Sequence, residues 1–150
     1  MIRLLSLLLV LAATTAAHAM SYKITSLYHL PHGHSVAICL PEIWKYMIKH
    51  INNCVDTRGS EYLNRIFHDI ANTMGCQSPM QAIDLFAQIL TKLEMDKPAM
   101  PCSEGDLDIL CKSVNVVRLK NNPINLDSLA IKNLYKRIIN WHDLSENLFI

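Results

Sequence analysis

Seven histidines are present in 150 residues, and three of them crowd into Tyr28-His29-Leu30-Pro31-His32-Gly33-His34, with His18 fourteen residues before His32. A neutral imidazole ligates Zn(II) or Fe(II) at roughly 2 Å, so two rings that share one ion must lie only a few ångströms apart. On one unbroken helix His18 and His32 would be about 21 Å apart, at 1.5 Å rise per residue. They meet only if the chain reverses between them. Pro31 removes a backbone donor and biases Leu30 away from helical angles, while Gly33 is expected to let the backbone turn tightly beside His32. Taken alone, an H-x-x-H-x-H loop is a solvated histidine cluster more often than a metal site.

The elements that must hold these rings read as helices. Ala13, Ala16, Ala17, Met20, Ile24, Leu27 and Tyr28 recur at spacings of three and four, which makes one apolar stripe. A second stripe uses Val36, Ala37, Leu40, Ile43, Trp44, Met47 and Ile48, with Pro41 expected to kink it. Asn52-Asn53 read as a loop. Residues 60–74 make a third helix with Gly75 as its C-terminal cap. Ser78 and Pro79 start a fourth, whose expected core face is Ala82, Ile83, Phe86, Ala87, Ile89, Leu90 and Leu93. Residues 96–101, with two prolines, read as a linker. Ser103 and Asp106 resemble a capping box ahead of Leu107, Ile109, Leu110 and Val114. Asn121-Asn122-Pro123 is a turn, and residues 127–139 form a last amphipathic helix. No alternating strand pattern occurs, so the expected fold is all-α, a bundle of about six helices.

Bulk composition narrows the functions open to such a bundle. Fourteen Lys+Arg against thirteen Asp+Glu leave a formal charge of +1. That balance offers no electrostatic footprint for nucleic acid or an acidic membrane. With 51% apolar residues and a mean hydropathy of +0.17, the chain has core material for one domain but no room for a second, dinucleotide-binding one. The five cysteines are an odd set without a C-x-x-C pair, which fits free thiols in a reducing, cytoplasmic setting. The N-terminus points the other way. Met1-Ile2-Arg3, an apolar run over residues 4–13 and the small-x-small triplet Ala17-His18-Ala19 have the parts of a secretory signal. Cleavage after Ala19 would export the chain and discard His18, so the two readings exclude each other. Residues 1–13 are therefore set apart from a helical domain over 14–150.

The stretch TTAAHAMSYKITSLYHLPHGHSVAICL, residues 14–40, resembles the metal-site region of the iron-containing alcohol dehydrogenase family. The resemblance implies that His18, in a helix, and His32, in the P-H-G turn, are two of four ligands to a divalent ion, Fe(II) or Zn(II). It also implies the helical C-terminal domain of such enzymes, with weaker likeness to about residue 140 at Asn122-Pro123 and Leu126-Asp127. In the complete family enzyme the ion supplies Lewis acidity toward the alcohol oxygen, and NAD(P), held by an N-terminal α/β domain, takes the hydride. Three departures stand out. The four glycines stand singly, with no glycine-rich phosphate loop. An aspartate and a histidine four residues on should precede His18, and only the apolar run is there. Tyr22 replaces a histidine that some members carry four residues after the first ligand.

The expectation is a truncated or split C-terminal half, inactive alone, with no catalytic or cofactor-binding residue of its own beyond the partial metal site. NAD(P) would then come with a separately encoded nucleotide-binding partner, and an unpartnered bundle could also self-associate. The alternative is a small secreted or periplasmic helical binding protein with decayed dehydrogenase ancestry. His34 is expected near the site without coordinating, His29 in a cleft or in solvent, and His50, His68 and His142 elsewhere. Met20, Met47 and Met74 are expected as core filler.

Overall fold

A computed structural model describes residues 16–98 and 102–139. The proposed signal-like segment 1–13, Ala13, the proline pair's second half, Trp141 and His142 lie outside those residues. Among the described residues the chain is helical, with α1 (Ala16–Tyr28), α2 (His32–Lys49), α3 (Gly59–Thr73), α4 (Pro79–Lys92), α5 (Glu104–Ser113), α6 (Val116–Leu119) and α7 (Ser128–Ile138). One of the seven and one 3-10 turn go beyond the expectation. The four-residue α6 was not anticipated, and Asn52-Asn53 fall in a single 3-10 turn over Ile51–Asn53. The nearest thing to a strand among these residues is one antiparallel bridge between Cys54 and Ile124.

Local chemistry sets the helix ends. Ser78 has extended backbone angles and accepts from the Gln81 N–H, with Pro79 at the first helical position where its missing donor costs little. Ser103 and Asp106 complete the reciprocal capping box, the Asp106 side chain receiving the Ser103 N–H at 3.1 Å. The Ser103 hydroxyl, donating at 2.7 Å, and then that amide hold the Asp106 carboxyl below the usual carboxylate range. Asp127 caps α7 through the Ala130 N–H. At the end of α3, Gly75 takes φ +76°, and the Cys76 and Gly75 amides donate to the carbonyls of Ala71 and Asn72. This is the Schellman closure, which needs a left-handed residue at that place.

The central element is α2, which packs on α1, α4 and α7, while α1 also packs on α5 and α6. The helix runs through Pro41 without interruption from His32 to Lys49, and the ring itself is buried. Trp44 of α2 meets Phe67 of α3 with ring centres 6.3 Å apart. Met20, Ile24, Ile43, Ile83, Leu107, Leu110, Leu134 and Tyr135 are the fully enclosed centre. Tyr135 donates to the Met20 carbonyl at 2.9 Å, which fastens α7 to α1. Met47 is buried and Met74 partly so, in keeping with a filling role.

Three expected core residues face outward. Ile109 lies two positions from Leu107, about 200° round the helix, so it points away when Leu107 and Leu110 pack. On α4 the apolar stripe outruns its cover: Ala82, Ile83 and Leu90 are buried, but Ile89 and, just past the last turn, Leu93 stand exposed.

Candidate metal centre

The chain reversal that the two histidines require is made by residues 29–31. α1 stops at Tyr28, His29 adopts φ 54°, and Pro31 precedes α2 with extended angles. The left-handed step therefore belongs to His29, not to Gly33. Gly33 lies inside the first turn of α2 with ordinary helical angles and open space where a Cβ would be, so the expected tight turn at that glycine is corrected. The reason is steric: Pro31 sets φ near −60° and suits the position just before a helix, which leaves the turn to the residues before it. His32 is consequently the first residue of α2 rather than part of a loop.

This geometry brings the two imidazoles together. The ring centres of His18 and His32 are 5.4 Å apart and their planes meet at 73°. Two imidazoles on one tetrahedral ion, each bound at roughly 2 Å, have centres about 5 Å apart. The donor set and its spacing fit an ion, with His18 half-buried on α1 and His32 exposed at the helix start. Among the described residues no cluster of three or more His, Cys, Asp or Glu side chains is arranged to hold a metal. The described residues bring together these two imidazoles and no third such side chain.

Around the pair the aromatic and basic groups are ordered. Tyr22, one helical turn after His18, stacks on His32 with ring centres 5.1 Å apart and planes 26° from parallel. Arg118 of α6 places its guanidinium carbon 4.8 Å from the Tyr22 ring centre, and its Nη1 donates to the Tyr22 hydroxyl at 2.5 Å. Neither Tyr22 nor Arg118 stood out in the sequence as a pair, since 96 residues separate them. The departure at position 22 was visible; its partner was not.

The remaining histidines disperse. His34 donates from Nε2 to the Asp96 carbonyl at 2.7 Å, which ties the start of α2 to the segment after α4. His29 is exposed at the bend, His50 stacks on Tyr46 at 4.2 Å, and His68 donates to the Asn64 carbonyl within α3. Burial pushes the Cys39 thiol and the Tyr135 hydroxyl well above their ordinary ranges, and burial with the Cys102 contact does the same to Tyr28. All three stay protonated at neutral pH.

Comparison with known proteins adds three findings. The family model described as "Fe-containing alcohol dehydrogenase family, C-terminal" matches residues 6–139. A phosphonoacetaldehyde reductase from Streptomyces viridochromogenes is 27% identical over 130 residues, which covers 83% of this chain but 31% of that protein. The chain thus spans about a third of the length of the curated relative it matches. No solved structure matches the chain. Among the described residues no helix is long and apolar enough to cross a membrane.

Proposed function

The chain belongs to the Fe-containing alcohol dehydrogenase family, matching its C-terminal part, and on that footing we propose that it is the metal-binding half of an NAD(P)-dependent enzyme interconverting small alcohols and aldehydes. His18 and His32 hold a divalent ion, Fe(II) or Zn(II), as two of its ligands, and the nucleotide and further ligands are held by a partner half. The single observation that carries this reading is the meeting of the two rings at 5.4 Å, where a continuous helix would hold them about 21 Å apart. When bound, such an ion supplies Lewis acidity toward the substrate oxygen. The chain's own residues position it: α1 presents His18, the bend at His29 delivers His32, and Tyr22 fixes the His32 ring by stacking. The relative's name as a reductase of an aldehyde supports the substrate class.

Isothermal titration with Zn(II) tests the site. The wild-type chain is expected to bind one equivalent weakly, in keeping with two protein ligands, and His18→Ala or His32→Ala to weaken it by about tenfold or more. A single-site isotherm unchanged in both variants would remove these two residues from the metal.

We also place the chain in the cytoplasm with its N-terminal segment retained. Ala16, Ala17 and Ala19, part of the would-be cleavage region, are buried in the core of α1, and the family match runs back to residue 6. Removal of a leader after Ala19 would strip that core and take His18 with it. The expected intact mass of the protein from cells is that of the uncleaved chain; a loss of the first 19 residues would make it an exported protein without this metal site.

A further inference from the structure

We propose that Arg118, seated on Tyr22, binds a negatively charged group of the substrate, so that the site takes an alcohol or aldehyde bearing a phosphonate or carboxylate a few bonds from the reacting carbon. The inference rests on the metal reading above and specifies what that centre accepts.

Three observations carry it. First, Arg118 and His32 both pack on the Tyr22 ring, the guanidinium carbon 4.8 Å and the imidazole centre 5.1 Å from its centre. Second, its charge is not neutralised. The ion pairs among the described residues join Lys45 to Glu42, Arg58 to Asp56 and Lys132 to Glu104, and none includes Arg118. One of its five N–H donors goes to the Tyr22 hydroxyl, and the residue is exposed to solvent. Third, α6 covers little apolar surface, with Leu119 its one residue packed partly buried against the core. It has no buried residue, and Val116 and Val117 are each 67% exposed. The helix is closed by Asn115, which accepts from the Val117 and Arg118 amides, and it packs on α1. Besides seating Leu119 on the core, this short turn holds one cationic side chain against Tyr22.

Electrostatics then favours an anion between the two. A divalent ion on His18 and His32 and a guanidinium close by repel each other unless negative charge lies between them. A substrate whose oxygen reaches the metal end and whose anionic end reaches Arg118 satisfies both centres. The guanidinium fork matches a phosphonate or carboxylate with two parallel hydrogen bonds, which a lysine in its place would not provide.

The test is a titration of the purified chain, with and without Zn(II), followed by NMR at the Arg118 Nε–H and the Tyr22 ring. Methylphosphonate, acetate, ADP and ethanol are the probes. Saturable shifts with methylphosphonate or acetate are expected, and whichever binds more tightly names the anionic group. Arg118→Gln should weaken binding by about tenfold or more, and Arg118→Lys should retain part of it. Ethanol should leave Arg118 unmoved. Circular dichroism confirms that both variants fold; Arg118 is exposed, so its replacement leaves the core untouched. Equal binding in wild type and Arg118→Gln overturns the proposal, as does a response to ADP alone, which would give Arg118 to the nucleotide. If Zn(II) fails to bind while methylphosphonate docks at Arg118, the metal reading falls and the anion position stands. If Zn(II) binds and every anion is silent, the reverse holds.

Discussion

Tyr135→Ala is expected to lower the unfolding free energy by about 3–5 kcal/mol, the range for emptying a buried aromatic site. Tyr135 is wholly enclosed and its hydroxyl meets the Met20 carbonyl, so the truncation opens a cavity between α7 and α1 and removes a buried hydrogen bond together. Against the 5–15 kcal/mol typical of a domain, that is about a fifth of the stability at the least. Tyr135→Phe keeps the ring and loses only the hydrogen bond, an expected cost of about 1 kcal/mol. Urea unfolding of the two variants checks this ratio. Equal losses would mean that the hydrogen bond, not the packing, joins the two helices. Because α1 also carries His18, the alanine variant should bind Zn(II) more weakly than the phenylalanine variant.

The second large effect is on activity. Given NAD and added Fe(II) or Zn(II), the purified chain is expected to oxidise simple alcohols no faster than its His32→Ala variant. Enzymes typically accelerate their reactions by at least about a millionfold, and all of that acceleration is expected to be missing. Two protein ligands leave an ion without fixed geometry, and the chain's four glycines stand singly, with no loop to cradle a dinucleotide phosphate. Initial-rate measurement of NADH formation decides the matter. Turnover that depends on His32 would show that this half contains a complete active site.

How far the sequence foretold this molecule depends on distance along the chain. The helix starts at Ser78 and Ser103 are local devices, each decided within four residues, and both appear where their side chains predict them, while Asp127, read as the first residue of the last helix, caps it instead. The His18–His32 meeting was legible as a requirement for a reversal, although the residue making it was misplaced. Gly33 drew attention because glycine tolerates positive φ, yet His29 takes that conformation because Pro31 already fixes the approach to α2. Ile89, Leu93 and Ile109 show the other limit. A stripe on one helix states which face is apolar, not how much of it a neighbour covers. Least legible was Arg118 on Tyr22, since α6 has neither length nor periodicity to announce itself and its contact spans most of the domain.

The fastening of Tyr135 to Met20 joins residues 115 positions apart. During synthesis α1 pairs at once with the adjacent α2, but the part of α1 that Tyr135 closes stays open until α7 has emerged. Long-range closure of this kind slows folding and prolongs exposure to aggregation. The histidine-bearing corner of α1 and α2 is thus built from neighbouring segments, whereas its closure by α7 waits for a residue 115 positions after Met20.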